Sequence, residues 1–241
     1  MKLGTLELKF PEGTRSFHYR PDSEGDKGVI RQIFENQDYR LDYWQQGKSL
    51  MEFYESRARA GATALIIDAG ANIGAACVYF SMVFKKAIVF AIEPEPSNSA
   101  ILRMNCPEQN IVSFEGAIGS APGTLFLQDP GLSDWGFRVG ATGSKAVPVI
   151  STPEILGRFK DRNVFPLIMK IDIEGGESGL FEKDTGWVER FPLIIIELHD
   201  WMLPFQGSSR NFLKTIAALN FDFVHRGENI FCFNRPLLAP N

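Results

Sequence analysis

Leu65-Ile66-Ile67-Asp68-Ala69-Gly70-Ala71-Asn72-Ile73-Gly74 is the stretch from which the fold is read. An apolar, β-branched run reads as a buried strand, and it ends in an acid followed by a tight turn of small residues. The next ten residues, Ala75 to Phe84, are almost wholly apolar and long enough for a covered helix. Strand, glycine turn and helix open a nucleotide-type α/β fold, whose ligands sit just beyond the carboxyl end of the strand. The spacing is acid-x-Gly-x-Asn-x-Gly rather than G-x-G-x-x-G. A glycine turn alone says little, since any close strand-to-helix turn favours glycine. Its meaning depends on the ends of the other strands.

Downstream, strands and helices alternate. Ala87–Ile92 ends at Glu93, Ile111–Phe114 at Glu115-Gly116-Ala117, Leu167–Ile171 at Asp172, and Leu193–Ile196 at Glu197. Thr124–Gln128 and Val147–Ile150 read as two strands of an antiparallel insertion. Between them residues 129–146, rich in Gly, Ser and Asp and carrying Trp135, Phe137 and Arg138, read as a lid-like loop. Phe221–His225 and Asn229–Phe233, joined by Arg226-Gly227-Glu228, form a closing hairpin. The expected fold is α/β: a Rossmann-like, mostly parallel sheet with an antiparallel closing hairpin and helices on both faces, spanning 61–241.

Residues 1–60 read as an N-terminal extension packed on that domain. Leu6, Leu8 and Phe10 alternate with polar residues, and Pro11-Glu12-Gly13 turns the chain toward Phe17 and Tyr19. Asp26 is placed to cap a short helix bearing Val29, Ile30, Ile33 and Phe34. Ser49 and Glu52 have capping-box spacing for a helix through Arg59, closed by Gly61. The aromatic residues Tyr39, Tyr43, Trp44, Phe53 and Tyr54 are expected to pack against the sheet, with a substrate-facing wall as the alternative.

Bulk composition narrows the partners. Net charge is −4, from 25 basic and 29 acidic residues without a long run of either sign, so a strongly basic nucleic-acid surface is not expected. Three cysteines without a C-x-x-C pair suit a reducing compartment. Met1 leads into a polar, charged stretch, and no segment approaches the roughly 20 apolar residues of a membrane span. A cytoplasmic protein with neither membrane nor nucleic-acid partner is the expectation.

The chemistry collects at strand ends. Asp68, Glu93, Asp172 and Glu197 line one edge of the sheet with acids that stability does not require. Glu93 stands about twenty residues past the glycine turn, where dinucleotide folds keep an acid for ribose hydroxyls. That leaves nicotinamide dinucleotides and S-adenosylmethionine. The incomplete glycine pattern and Asp68, which would repel a pyrophosphate but suit a sulfonium or an ammonium, favour the second. A nicotinamide-dependent oxidoreductase, or a ligand-binding domain of this fold without turnover, are the alternatives.

At this point a family resemblance becomes visible. Ile67 to Gly74, Glu93-Pro94-Glu95-Pro96, Glu115-Gly116-Ala117-Ile118-Gly119, Lys170-Ile171-Asp172-Ile173-Glu174-Gly175 and Ile196-Glu197-Leu198-His199 together resemble the FkbM family of S-adenosylmethionine-dependent methyltransferases. The resemblance covers roughly residues 60 to 235. It implies a class I methyltransferase sheet and methyl transfer to a hydroxyl of a small-molecule acceptor, a sugar or polyketide-type metabolite. The first 60 residues and the 129–146 loop fall outside it, and acceptor identity would be decided there. Gly70, Asn72 and Gly74 would let the backbone approach the methionine portion, with Asp68 beside it. Glu93 would hold the ribose, and Gly116, Ala117 and Ile118 would border the adenine.

A neutral alcohol is a poor nucleophile, so a base near its proton is expected. Period two puts Asp172 and Glu174 on one face, and Glu197 and His199 on one face of the next strand end. The four converge if those strands are neighbours, with His199 or Asp172 as base. The plainer reading has Glu174 and Glu177 capping a helix and His199 simply packed. The same set would suit Mg²⁺ or another divalent ion, but its spacing fits no fixed metal signature and no metal is predicted.

Overall fold

A computed structural model describes residues 2–10, 13–129, 131 and 136–239. Pro11 and Glu12 of the expected turn, and Trp135, lie outside the described residues. The chain begins with the hairpin β1 (Gly4–Phe10) and β2 (Gly13–Tyr19), followed by helices α1 (Glu24–Ile30) and α2 (Gln45–Arg59). The core alternation is β3 (Thr63–Ala69), α3 (Ala75–Val83), β4 (Ile88–Glu93), α4 (Pro96–Asn105) and β5 (Ile111–Glu115). Four short strands form the insertion: β6 (Ala117–Gly119), β7 (Gly123–Gln128), β8 (Arg138–Gly140) and β9 (Lys145–Ser151). Then come α5 (Thr152–Gly157), β10 (Val164–Ile171), α6 (Glu177–Leu180), β11 (Leu193–Glu197), α7 (Arg210–Ala217), β12 (Phe221–Arg226), β13 (Asn229–Asn234) and α8 (Arg235–Leu238).

The main sheet has the order β12-β13-β11-β10-β3-β4-β5. Its five strands from β11 to β5 run parallel, and β13 runs antiparallel to both β11 and β12. This is the class I methyltransferase arrangement with its closing hairpin. Alternation along each strand feeds two apolar layers. Ile66, Val89 and Ile195 pack on one face with Leu50 of α2 and Phe80 of α3. Ile67, Phe90 and Ile194 pack on the other with Leu156 of α5 and Phe212 of α7. Strands covered on both faces must be apolar throughout, as these runs are. Among the described residues no helix is long and apolar enough to cross a membrane.

The insertion is more ordered than a loop. β8 pairs with β7, and β9 pairs antiparallel with β7 and parallel with β6, so residues 138–140 and 145–146 belong to a four-stranded sheet. The glycines that suggested a lid serve close strand approach: a Cβ at Gly143 would run into the carbonyl oxygen of Leu127.

Two helix starts also differ from expectation. Ser23, not Asp26, caps α1, its hydroxyl accepting the Asp26 N–H at 3.1 Å. α2 begins at Gln45, four residues before Ser49, because Trp44 at its N-cap is anchored against Phe231 and Phe233 of β13. Tertiary packing here overrides the capping-box spacing.

Asp26 has a different task. Its carboxylate, 1% exposed, takes Nε and Nη2 of Arg20 at 3.0 and 2.6 Å, and Arg20 reaches on to Asn98 Oδ1 of α4 at 2.6 Å. Asn105, at the end of α4, holds β2 through the His18 N–H (2.6 Å) and the glycine turn through the Ile73 carbonyl (2.8 Å). These two clips seat the extension over the carboxyl edge of the sheet. Removing one member of a buried pair strands the other's charge, at a cost of about 3–5 kcal/mol. Arg20→Met should therefore lower unfolding free energy in urea by about that amount. Adding Asp26→Leu should recover most of the loss, and a double variant no more stable than the single one would show the clip to be incidental.

Candidate active site

The turn after β3 is fixed from both sides. The N–H groups of Gly70 and Ala71 both donate to the Ile92 carbonyl, at 3.0 and 2.9 Å, tying the turn to the end of β4. Gly70 has φ +80°, and a Cβ there would run into the carbonyl oxygen of Asp172. Only glycine fits. Asn72 takes the left-handed conformation (φ +50°), which asparagine tolerates better than most residues. Its side-chain Oδ1 is buried and has no hydrogen-bond partner among the described residues.

Glu93 ends β4 and pins this turn. Its Oε2 accepts the Asn72 N–H at 2.8 Å and its Oε1 accepts the Glu95 N–H at 2.9 Å, with Asn98 Nδ2 at 3.4 Å. Burial pushes the Glu93 carboxyl up to about 7, against the pull of those amide donors. Next along the edge, the Gly116 N–H donates to the Glu93 carbonyl at 3.1 Å, leading into Ala117 and Ile118.

These elements surround a cleft at the carboxyl ends of the strands. Gly70, Asn72, Glu93, Ala117, Ile118, Asp172 and Glu174 line it, as does Lys170. The extension supplies Gln32, Ile33 and Tyr39, the first two from a π-helical turn at Arg31–Glu35, and the insertion supplies Phe137 and Val139. Of the aromatic residues of the extension, Tyr39 reaches this wall while stacking on Phe80; Trp44, Phe53 and Tyr54 pack as expected against Phe231, Phe165 and Phe84.

Asp68, Gly74, Gly116, Glu197 and His199 are not among the residues that line the cleft. For Asp68, expected beside the ligand, the partners in the structure are a lysine and a thiol. Asp68 is fully buried, its Oδ1 3.1 Å from Lys170 Nζ and its Oδ2 accepting the Cys77 thiol at 3.0 Å. Lys170 lies directly opposite Asp68 in the β3–β10 register, donates to the Gly70 carbonyl at 2.7 Å, and lies 3.4 Å from Asp172 Oδ2. Burial would lower its pKa, but Asp68 and Asp172 raise it well above the ordinary lysine value. Lys170 is the site residue that sequence reasoning passed over. Its signal was a lysine within an otherwise apolar parallel strand, a position such a residue occupies only when paired.

The acidic half of the edge converges as expected, since β10 and β11 are neighbours. His199 Nε2 lies 3.4 Å from Glu174 Oε2, 3.5 Å from Glu197 Oε1 and 3.6 Å from Asp172 Oδ1. Its Nδ1 is bonded at 2.8 Å to Glu177 Oε1, and Glu177 is fully buried at the start of α6. Burial, then the Asp172 charge, push Glu174 up to about 7 and Glu197 up to about 8. Burial opposes charge on His199, yet the Glu177 hydrogen bond and the surrounding carboxylates push it up to about 9.

Glu93, Glu174, Glu197 and His199 all hold protons more tightly in the folded chain than in the unfolded one, so stability falls with rising pH wherever the folded state binds the extra protons. Their contribution is fully present below about pH 4.5 and is lost as pH rises through the folded values, between about 7 and about 9. The melting temperature of the ligand-free protein should fall steadily from pH 5 to pH 9. A flat or rising profile would contradict this electrostatic picture.

The chain is also similar to known proteins. A model of the methyltransferase FkbM domain matches residues 68–223. The hexuronic acid methyltransferase AglP of Haloferax volcanii is 27% identical over 136 residues, covering 55% of this chain and 54% of AglP. The chain thus matches about half the length of that relative. Among solved structures, the precorrin-6y C5,15-methyltransferase of Geobacter metallireducens covers 78% of this chain and 84% of its own at 13% identity, with a TM-score of 0.39. An O-methyltransferase of Bacillus cereus in complex with SAH covers 78% and 90% at 13% identity, with a TM-score of 0.38. Likenesses that distant carry no argument about the chemistry.

Proposed function

Because the chain belongs to the FkbM methyltransferase domain family, we propose that it transfers a methyl group from S-adenosylmethionine to a hydroxyl oxygen of a small polar acceptor of the sugar class. The observation that carries this reading is the division of one cleft into two halves. On one side stand the glycine turn, Asn72 and the buried Glu93; on the other stand Asp172 and Glu174. The named activity of AglP supports the sugar class.

The residues present suit the cofactor. Both Glu93 oxygens already accept backbone amides, and a carboxylate retains lone pairs for a vicinal diol. Asn72 Oδ1, unpartnered and buried, offers an acceptor to an α-ammonium group. Ala117 and Ile118 give an apolar border for a flat purine. When bound, S-adenosylmethionine supplies a methyl group on positively charged sulfur, already activated for in-line displacement.

The chain's own task is then alignment and proton removal. Asp172 and Glu174 face the cleft, accept a hydrogen bond from the acceptor hydroxyl and receive its proton as the new C–O bond forms. Glu197 and His199 stand behind them and act as positioning residues. Lys170 holds Asp172 and the Gly70 carbonyl in fixed relation, so donor and acceptor halves keep one geometry.

Titration calorimetry with S-adenosylhomocysteine tests the donor half. Wild type should bind, and Glu93→Ala should bind about 10- to 100-fold more weakly, the worth of about one hydrogen bond to a charged group. Since Glu93 also pins Asn72, its melting curve is recorded alongside. Asp172→Asn should lower methyl transfer to a panel of hydroxylated sugars by about 10²-fold or more while leaving that affinity nearly unchanged. Fluorescence quenching of NADH by a protein that ignores S-adenosylhomocysteine would overturn the reading in favour of hydride transfer.

A further inference from the structure

We infer that Asp172, Glu174 and His199 form a binding site for one divalent cation of the oxygen-preferring kind, with Mn²⁺ as its probe. The inference goes beyond methyl transfer and does not depend on it. Ligand atoms of Asp172, Glu174 and His199 all lie within 4.8 Å of one another, and Glu197 stands beside His199 outside that group. Donors bound about 2.1 Å from a common ion stand about 3.0 Å apart at adjacent octahedral corners and about 3.4 Å apart at tetrahedral ones. The three carboxylate oxygens stand 3.4, 3.5 and 3.6 Å from His199 Nε2. Those are the edge lengths of a coordination shell. They are too long for good hydrogen bonds.

His199 supplies a second observation, independent of the acids. It is 1% exposed, and its Nε2 makes no hydrogen bond to any described residue although three carboxylate oxygens surround it. Its other nitrogen is bonded to Glu177, itself fully buried, which fixes the ring with Nε2 aimed into the cluster. A histidine whose far nitrogen is held by a second carboxylate is the usual partner arrangement behind a metal ligand. With Nδ1 held by Glu177, Nε2 is the nitrogen that faces the carboxylates, and a bound cation would take the place of the proton it holds there.

Charge balance points the same way. Asp68, Asp172, Glu174, Glu177 and Glu197 are gathered here, while Lys170 is already engaged by Asp68 and Asp172. One imidazole cannot neutralise the remainder, and a divalent ion can. Two carboxylates and one imidazole suit Mn²⁺ or Mg²⁺ better than a thiolate-seeking metal. Asp172 and Glu174 line the cleft, so the ion would meet the solvent side of the cluster and leave coordination positions toward the acceptor.

The test uses the full chain stripped with chelator and titrated with Mn²⁺, followed by electron paramagnetic resonance. Wild type should take up one Mn²⁺ per chain, with pulsed spectra showing coupling to a single imidazole nitrogen. His199→Gln should lose that coupling and bind at least tenfold more weakly. Glu174→Gln, a change on the cleft wall that should spare the fold, should also weaken Mn²⁺ at least tenfold, and Glu177→Gln by about 10- to 100-fold. Mg²⁺ should displace Mn²⁺ competitively. No stoichiometric uptake by wild type, or uptake without nitrogen coupling, would overturn the assignment. S-adenosylhomocysteine titration of the same samples keeps the two readings apart: cofactor binding without Mn²⁺ uptake sinks only this one, and the reverse sinks only the other.

Discussion

An ammonium group sealed inside a parallel sheet is tolerable only among carboxylates, and the carboxyl edge of this protein is built around that constraint. Lys170 sits opposite Asp68 on the adjoining strand and reaches both Asp172 and the carbonyl of Gly70. One side chain thereby ties β3, β10 and the glycine turn to one another. The turn in turn can approach β10 so closely only because Gly70 has no side chain to collide with Asp172. The floor of the cleft is therefore rigid before anything binds to it.

On that floor two environments stand side by side. Around Glu93 a single buried carboxylate is surrounded by amide donors, which suits recognition of neutral polar groups. Around His199 carboxylates outnumber cations, and burial, then the Asp172 charge, raises Glu174 to about 7 and Glu197 to about 8. The two environments thus differ within one cleft in charge as well as in position. The N-terminal extension closes the third side. Its Arg20–Asp26 pair is joined through Asn98 to Glu93 itself, so a segment outside the family match is coupled to the most strongly positioned acid of the site.

Much of this was legible from residue order. Apolar β-branched runs ending in acids located the strand ends, because a strand buried on both faces admits few polar residues before it emerges. The convergence of Asp172, Glu174, Glu197 and His199 followed from period two once β10 and β11 were neighbours. Other features were not legible. Asp68 looked like a ligand-facing acid because its position says where it sits along the strand, not which neighbour claims its charge. Residues 138–140 looked like loop because their glycines, read locally, signal turns, whereas Gly140 and Gly143 serve close contacts with Gln128 and Leu127. Glu177 looked like a helix cap, and only the fold brings it to His199, twenty-two positions away.

By itself, then, the sequence determined the elements and the chemical character of the sheet edge, since apolar periodicity, turn glycines and strand-end acids act over a few residues. Tertiary structure alone decided which acids face the cleft and which are spent on Lys170 or His199. It also decided that the first forty residues supply part of the cleft wall. The reason is physical: charge pairing depends on register between strands a hundred residues apart, and neither composition nor spacing within one strand encodes that distance.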